Sequence, residues 1–151
     1  MEITISNATA ELKNVNLRTE SNGDERVLAC DLKVIASCKA KEMAPLFADS
    51  PDLLDTLYDE AGNVLASCFE FIYRVPVENV ELQMDDLKPF KGGKVKKNMK
   101  LLPRDGKRFQ VSMTIQLSDI GDVRPLSKRL NDEVKITIIE RQQTLDLEQA
   151  A

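Results

Sequence analysis

Histidine and tryptophan are both absent from this sequence of 151 residues. The lack of histidine removes the commonest general base and the commonest nitrogen ligand for transition metals. The three cysteines, Cys30, Cys38 and Cys68, contain no CxxC pair, so their spacing indicates neither a disulfide framework nor a zinc site. We therefore predict a protein that is not an enzyme, with no catalytic residues, no metal site and no cofactor.

Long apolar runs are also missing, because no stretch approaches the roughly 18 residues of a membrane-spanning helix. The chain opens on Met1, Glu2 and Ile3 without the pattern of a secretory signal. Together with the unpaired cysteines, this predicts a protein of the reducing cytoplasm that has no contact with membranes. The 42% hydrophobic content predicts one globular domain over residues 1–140, followed by a flexible polar tail over residues 141–151.

Aromatic residues are few, with five Phe and two Tyr, so the core must consist mainly of aliphatic side chains. Apolar residues recur at every second position in several segments, which is the period of a half-buried strand. The predicted strands are 2–6, 15–17, 28–36, 80–84 and 134–138. The composition of residues 21–24, Ser-Asn-Gly-Asp, predicts a turn.

Three short helices are predicted from apolar residues at helical spacing. The first contains Met43, Leu46 and Phe47. The second covers residues 50–62, where Ser50 and Pro51 are typical of a helix start and Gly62 of a helix end. An alternative for this segment is a hairpin that pairs residues 57–58 with 64–65. The third helix begins at Asp122 and has inward-facing residues Val123, Leu126 and Leu130.

Residues 64–75 are apolar on both faces, which predicts a buried central strand that ends at Pro76. The predicted fold is therefore mainly β: a β-sandwich or a strongly bent antiparallel sheet with two or three short helices.

The strongest local pattern is a hairpin between Lys94 and Ser118. Apolar residues alternate strictly with polar ones from Phe109 to Leu117, and the connection Arg104-Asp105-Gly106 suits a three-residue loop with glycine in the left-handed region. This loop predicts three facing pairs: Leu101 with Phe109, Met99 with Val111, and Val95 with Ile115.

The same region is strongly basic. The segment from Lys88 to Arg108 holds nine basic residues and one acidic residue, although the whole chain has a net charge of -4. Lysines and neutral hydrogen-bonding side chains on one strand face are suited to contacting a phosphate backbone. The predicted site for nucleic acid or another partner comprises Lys88, Lys91, Lys94, Lys96, Lys100, Arg104, Lys107, Gln110, Ser112 and Thr114. The alternative is a solvated sheet face whose lysines discourage edge pairing.

Two further motifs offer weaker chemistry. Residues 91–94, Lys-Gly-Gly-Lys, lack the glycine spacing of a P-loop and the Ser or Thr after its lysine. The acidic residues Glu78, Glu81, Asp85 and Asp86 have oxygen ligands for a hard cation but lack the spacing of a calcium-binding loop. A solvated acidic turn explains these four residues equally simply.

The pattern of residues 95–106, with Phe109-Gln110-Val111-Ser112-Met113 and residues 134–138, resembles that of uncharacterised small accessory proteins of tailed temperate bacteriophages. The resemblance concerns mainly residues 80–140. It implies a protein of phage origin that acts in the host bacterial cytoplasm. It supplies no catalytic residues.

Three functions follow as expectations. The first is a non-enzymatic phage accessory protein that binds a macromolecular partner in DNA metabolism or counter-defence. The second is a single-stranded nucleic-acid-binding protein that uses the basic hairpin face, and the third is a minor virion component. Long strands with an apolar face and few aromatics are also compatible with a homo-oligomer.

Overall fold

The computed structural model describes residues 2–65 and 70–141. Eight strands and three short helices form this part of the chain. The strands are β1 (Thr4–Asn22), β2 (Glu25–Lys39), β3 (Phe71–Tyr73), β4 (Val77–Met84), β5 (Phe90–Val95), β6 (Met99–Arg104), β7 (Arg108–Leu117) and β8 (Glu133–Glu140). The helices are a 3-10 helix (Ala40–Phe47), α1 (Leu53–Thr56) and α2 (Arg124–Ser127).

Strand β1 is one long bent strand, where the sequence pattern predicted two short ones. Its pairing register shifts between Ile5 and Ala8 and again between Leu12 and Asn14. Such bulges bend a strand without ending it. The bent β1 therefore pairs with β8 through its first half and with β2 through residues 9–22. The predicted turn at Gly23 and Asp24 is confirmed, since Asn22 pairs with Glu25.

Six strands close into a barrel, which confirms the mainly β class. Of the two predicted arrangements, the sandwich is wrong, and the bent antiparallel sheet was predicted without its closure. The ring runs β1–β2–β7–β5–β4–β8 and returns to β1, with antiparallel neighbours throughout. The narrowest contact is between β5 and β7, where only Lys94–Gln116 and Val95–Ile115 are paired. Closure leaves the six-strand ring without the two free edges of an open sheet.

The remaining strands extend from the ring. β6 pairs with β7 beside the end of β5, and β3 pairs with β6 through residues 71–73. The predicted central strand over residues 64–75 is therefore wrong in its described part. Its strand portion is three residues at the edge of the sheet, and Leu65, Ile72 and Val75 are exposed.

The segment 50–62 combines the two alternatives drawn from the sequence. The helix is a single turn that ends at Thr56, well short of Gly62. Beyond it, Tyr58 and Val64 form an isolated antiparallel bridge, and the Leu65 N–H donates to the Leu57 carbonyl at 2.7 Å. Gly62 belongs to the turn of this bridge, where its φ of +86° is one that glycine adopts readily.

The predicted hairpin of β6 and β7 exists, but its register differs by two residues. Leu101 faces Val111 and Pro103 faces Phe109, while Arg104 faces Arg108 around the loop Asp105–Lys107. The predicted pair Val95–Ile115 is correct. The predicted continuous strand breaks between β5 and β6, where Asn98 has a φ of +71°. The chain therefore regains its pairing with β7 at a different register.

The barrel interior is aliphatic, as the shortage of aromatics predicted. Inward-facing residues of β2 and β7 meet in register, with Leu32 opposite Ile115 and Val34 opposite Met113. The largest fully buried side chains include Phe109, Leu12 and Leu82, and no polar or charged residue of the described chain is buried. Even-numbered positions of β2 and odd-numbered positions of β7 therefore face the core, which fixes the outward face of both strands.

The region around α2 follows the sequence pattern in part. Asp122 accepts the Arg124 N–H at 2.9 Å, and Leu126 is fully buried. Leu130, predicted to face inward, is 41% exposed because the helix ends at Ser127.

Strand β8 covers the predicted strand 134–138, whereas almost all of the predicted tail, 142–151, lies outside the described residues. Within residues 2–65 and 70–141, no helix is long and apolar enough to cross a membrane.

Candidate nucleic-acid interface

The outward face of β7 carries the neutral polar residues of the predicted site. Gln110, Ser112, Thr114 and Gln116 are half-buried and alternate with the fully buried core residues of the same strand. β7 has a neighbour along both edges, with β2 on one side and β5 and β6 on the other. Its polar residues therefore lie on the midline of a three-strand surface rather than at a sheet edge.

The register places lysines on both sides of this midline. Lys100 of β6 lies opposite Ser112, and Lys33 of β2 lies opposite Thr114. Directly opposed residues on one sheet face have Cβ atoms about 5 Å apart, so each lysine side chain starts beside a hydroxyl-bearing residue. Both lysines are exposed.

The break between β5 and β6 adds two more polar side chains. The Lys96 N–H donates to the Thr114 carbonyl at 2.9 Å, and the Asn98 N–H donates to the Tyr73 carbonyl at 2.8 Å. These bonds hold the connecting segment against β7 on one side and β3 on the other. Lys97 and Asn98 are exposed there, and both line the same surface depression as Lys100.

We name this depression the basic groove. It has a volume of about 240 Å³ and is lined by Lys33, Ile35, Lys97, Asn98, Lys100, Ser112, Met113 and Thr114. The lining contains three lysines and no carboxylate. Within the described chain, none of these three lysines forms an ion pair. The groove therefore presents unneutralised positive charge beside hydroxyl and amide hydrogen-bonding groups.

Other residues of the predicted site lie near the groove without lining it. Lys96 is paired at 3.5 Å with Asp31, a carboxylate that Arg18 also contacts at 3.4 Å. Gln110 accepts a hydrogen bond of 3.3 Å from Arg104, farther toward the hairpin tip. Arg104 and Gln110 line a neighbouring depression that also contains Glu11 and Glu133.

The structure separates the remaining four predicted residues from the groove. Lys94 pairs with Glu78 at 3.5 Å, and Lys88 and Lys91 line a different depression, which also contains Asp119 and Asp122. Lys107 lies at the hairpin tip. Only Lys100, Ser112 and Thr114 of the predicted set line the basic groove.

Five groove residues were not in the predicted set: the apolar residues Ile35 and Met113 and the polar residues Lys33, Lys97 and Asn98. The alternation of β2 did indicate that Lys33 faces outward, because its neighbours Leu32 and Val34 are apolar. The missing information was the long-range pairing of β2 with β7, which no local pattern contains. Lys97 and Asn98 depend on the strand break, which the assumption of a continuous strand concealed.

The acidic residues considered for a cation are instead paired with basic side chains. Asp85 and Asp86 lie 2.9 and 3.5 Å from Arg129, and Glu81 lies 2.6 Å from Arg141. In the described ranges, no group of three or more His, Cys, Asp or Glu side chains could hold a metal ion. These carboxylates link α2 and the C-terminal end of β8 to β4 and its following turn.

Asp85 is expected to make stability depend on pH. The Lys135 N–H and the Arg129 guanidinium bond its carboxylate at 2.9 Å and lower the pKa of that carboxyl below its ordinary value. A lowered folded-state pKa stabilises the fold above the unfolded-state value near 3.8, and this contribution disappears as the pH falls through the folded-state pKa. Asp85→Asn should cost about 1 kcal/mol at neutral pH and progressively less below pH 4.

Urea denaturation of both proteins between neutral pH and about pH 2 measures this difference. Asp86→Asn is the matched control, since the Asp86 side chain is 95% exposed and, within the described chain, its only ion pair is the 3.5 Å contact with the Arg129 guanidinium. The control should change stability little at any pH. A difference between wild type and Asp85→Asn that stays constant over this range would contradict the assignment.

The described cysteines are unsuited to act as nucleophiles. Burial raises the pKa of the Cys30 thiol to about 11 and that of Cys38 to about 12. Because the thiolate is the reactive form, both groups are inert at neutral pH. Cys68 lies outside the described residues.

Comparison with known proteins gives no assignment for this arrangement. No protein-family model, curated protein or solved structure matches the chain.

Proposed function

We propose that this protein binds single-stranded nucleic acid along the basic groove. It would act as a non-enzymatic accessory factor in the cytoplasm of a phage-infected bacterium, in line with the resemblance of its residues 80–140 to phage proteins. The observation that carries the proposal is the convergence of Lys33, Lys97 and Lys100 on one groove where, among residues 2–65 and 70–141, no carboxylate pairs with them or lines the groove. The alternative of a minor virion component stays a prediction.

The groove chemistry fits a phosphate chain. Lys33, Lys97 and Lys100 each offer an ammonium group, and neutralising a phosphate releases a condensed counterion from the nucleic acid. Ser112, Thr114 and Asn98 add neutral donors, which are frequent partners of phosphate oxygens. Lysines already paired with carboxylates would contribute less binding free energy, because those ion pairs would have to break before the lysines could contact phosphate.

The width of the basic surface favours one strand over a duplex. The groove lies on three neighbouring strands, which together span about 10 Å between the outer strand axes. Beyond β2, the next outward positions include Glu11, opposite Ile35, and then Glu133 of β8. Glu11 is already paired with Lys13 at 2.8 Å, so it is mainly the exposed Glu133 carboxylate that would repel the second phosphate row of a duplex extended across it.

Recognition by this groove should be largely independent of base sequence. None of the groove residues is aromatic, so the stacking surfaces of many single-strand binders are missing from its lining. Phe90, the aromatic residue within the basic segment, is half-buried and lines a different depression. Phosphate contacts position a nucleic acid without reading its bases.

A salt titration tests the proposal. Fluorescence anisotropy would measure binding of an oligothymidylate of about 20 nucleotides at about 50 mM and about 200 mM salt. Three phosphate contacts to a single strand predict a log–log slope near -2, which is roughly 20-fold weaker binding over this range. A duplex of the same length should bind more weakly. Failure to bind the single strand at low salt would contradict the proposal, and stronger duplex binding would contradict the argument from groove width.

A further inference from the structure

A second cavity lies at the hairpin end of the barrel, apart from the basic groove. Its volume is about 710 Å³, within the range of small-molecule sites. Three segments form its walls: the junction of β2 with the 3-10 helix, the region from α1 to Glu60, and the tip of the β6–β7 hairpin. We name it the end cavity. It has no residue in common with the basic groove.

Hydrogen bonds fix these walls relative to one another. The Tyr58 hydroxyl donates to the Arg108 carbonyl at 2.6 Å, and the Ala40 N–H donates to the Lys107 carbonyl at 2.8 Å. The Gly106 N–H donates to the Gly62 carbonyl at 2.8 Å, and the Val64 N–H donates to the Asp105 carboxylate, also at 2.8 Å. The hairpin tip therefore joins both other walls, and the cavity is preformed.

Charged groups of opposite sign line separate walls. The cations Lys39, Lys41 and Lys107 come from the β2 junction and the hairpin tip, whereas the acids Asp55, Asp59 and Glu60 all come from the α1 wall. Among the residues that the structure describes, none of these six forms an ion pair. The Arg108 guanidinium is engaged elsewhere, since it donates to Ser37.

The same lining includes apolar residues: Ala40, Ala44, Pro51, Leu54 and the ring of Tyr58. A ligand complementary to this arrangement has a negative end, an apolar middle and a positive end. A purely anionic ligand such as a nucleotide would bring its phosphates close to three carboxylates, and a purely cationic ligand would meet three lysines. A zwitterion satisfies both walls.

We infer that the end cavity binds a short peptide with free ends, its carboxylate toward Lys41 and Lys107 and its ammonium toward Asp55 and Glu60. A sphere of about 710 Å³ is about 11 Å across. An extended tripeptide spans at most about 11 Å, so a ligand of three residues is comparable in length to a cavity of this volume. The apolar surface favours an aliphatic central side chain.

The probe is the tripeptide Ala-Leu-Ala, titrated into the 15N-labelled protein. Saturable amide shifts around Tyr58 and Lys107 are expected, with a Kd on the order of 100 µM for a ligand of this size. Acetylation of the amino end and amidation of the carboxyl end should each weaken binding about tenfold. Absence of shifts at millimolar peptide would overturn the inference, as would equal binding by the doubly blocked peptide.

Paired variants test which wall binds which end. In Lys41→Ala/Lys107→Ala, amidation of the peptide should no longer weaken binding, while acetylation still does. In Asp55→Asn/Glu60→Gln, acetylation of the peptide should no longer weaken binding, while amidation still does. All four side chains are exposed, so the fold should tolerate these changes. Lys128→Ala/Glu25→Gln is the control, since both residues are exposed and neither lines the cavity.

These results separate the inference from the nucleic-acid proposal. Asp55→Asn/Glu60→Gln should leave the salt-dependent binding of the oligothymidylate unchanged, because neither residue lines the basic groove. If both paired variants respond to the blocked peptides as the wild type does, the assignment of the two walls is wrong.

Discussion

Replacement of Phe109 by alanine should lower the free energy of unfolding by about 3–5 kcal/mol, the largest stability effect we expect for this protein. Phe109 is fully buried and lies between Cys38 of β2 and Pro103 of β6. Its ring stacks on Phe47 at 5.9 Å and meets the edge of Phe71 at 6.4 Å. One side chain therefore joins the barrel wall to the 3-10 helix and to β3, and its removal leaves a cavity among all three.

Urea denaturation followed by far-ultraviolet circular dichroism measures this change, since the chain has no tryptophan to report unfolding. Phe90→Ala is the matched control, because that ring is only half-buried, and it should cost about 1–2 kcal/mol. Phe109→Leu should recover most of the lost stability. A loss below about 1 kcal/mol for Phe109→Ala would mean that these elements do not depend on the ring for their packing.

The sequence predicted which way most strand residues face better than it predicted their partners. The strict alternation of β7 correctly places Phe109 and Ile115 inside and Ser112 and Thr114 outside. A two-residue change of register preserves this assignment, because the side-chain period of a strand is two. The hairpin prediction could therefore be wrong for Leu101 while correct about the face on which Leu101 lies.

The register itself depended on one residue without a clear local signal. Asn98 adopts a left-handed conformation between β5 and β6, which asparagine tolerates better than most residues but does not require. The predicted strand continued through Asn98, and its pairing followed from a loop of Arg104, Asp105 and Gly106. The observed loop is Asp105–Lys107. The structure keeps the original register for Val95 and changes it from Lys100 onward.

The closed barrel could not be derived from local patterns either. Closure depends on pairs far apart in sequence, such as Ala8 with Ile136 and Leu32 with Ile115. Alternation indicates that a strand has one buried face, and both a sandwich and a barrel bury one face of each strand. The two bulges of β1 allow it to pair with both β2 and β8. In a sequence they resemble the end of one strand and the start of another.

The candidate groove illustrates the same limit. Grouping lysines by their closeness in sequence collected Lys88, Lys91 and Lys107, which the fold distributes to other surfaces. It omitted Lys33, which reaches the groove only because β2 pairs with β7. The prediction of a polar β7 face was sound, but its positive charge comes from both neighbours of that strand.

Reversal of the groove charge should greatly weaken the binding of single-stranded nucleic acid. In Lys33→Glu/Lys97→Glu/Lys100→Glu, three attractive contacts with phosphate become three repulsive ones beside the hydroxyls of β7. At about 1 kcal/mol for each changed contact, the total is about 3 kcal/mol, or about 150-fold weaker binding to oligothymidylate. All three side chains are exposed and unpaired in the described chain, so the unfolding free energy should change little.

The matched control is Lys88→Glu/Lys91→Glu/Lys107→Glu. It changes the net charge by the same amount at exposed positions within the basic segment, but none of its residues lines the groove. If binding depended only on the overall charge of the protein, the two triple variants would lose the same amount of affinity. If the groove is the interface, the groove variant should lose most of its affinity, and the control variant should lose less than about tenfold. The control variant should also keep a log–log salt slope near -2. Equal losses would show that net charge, rather than the groove, attracts the nucleic acid.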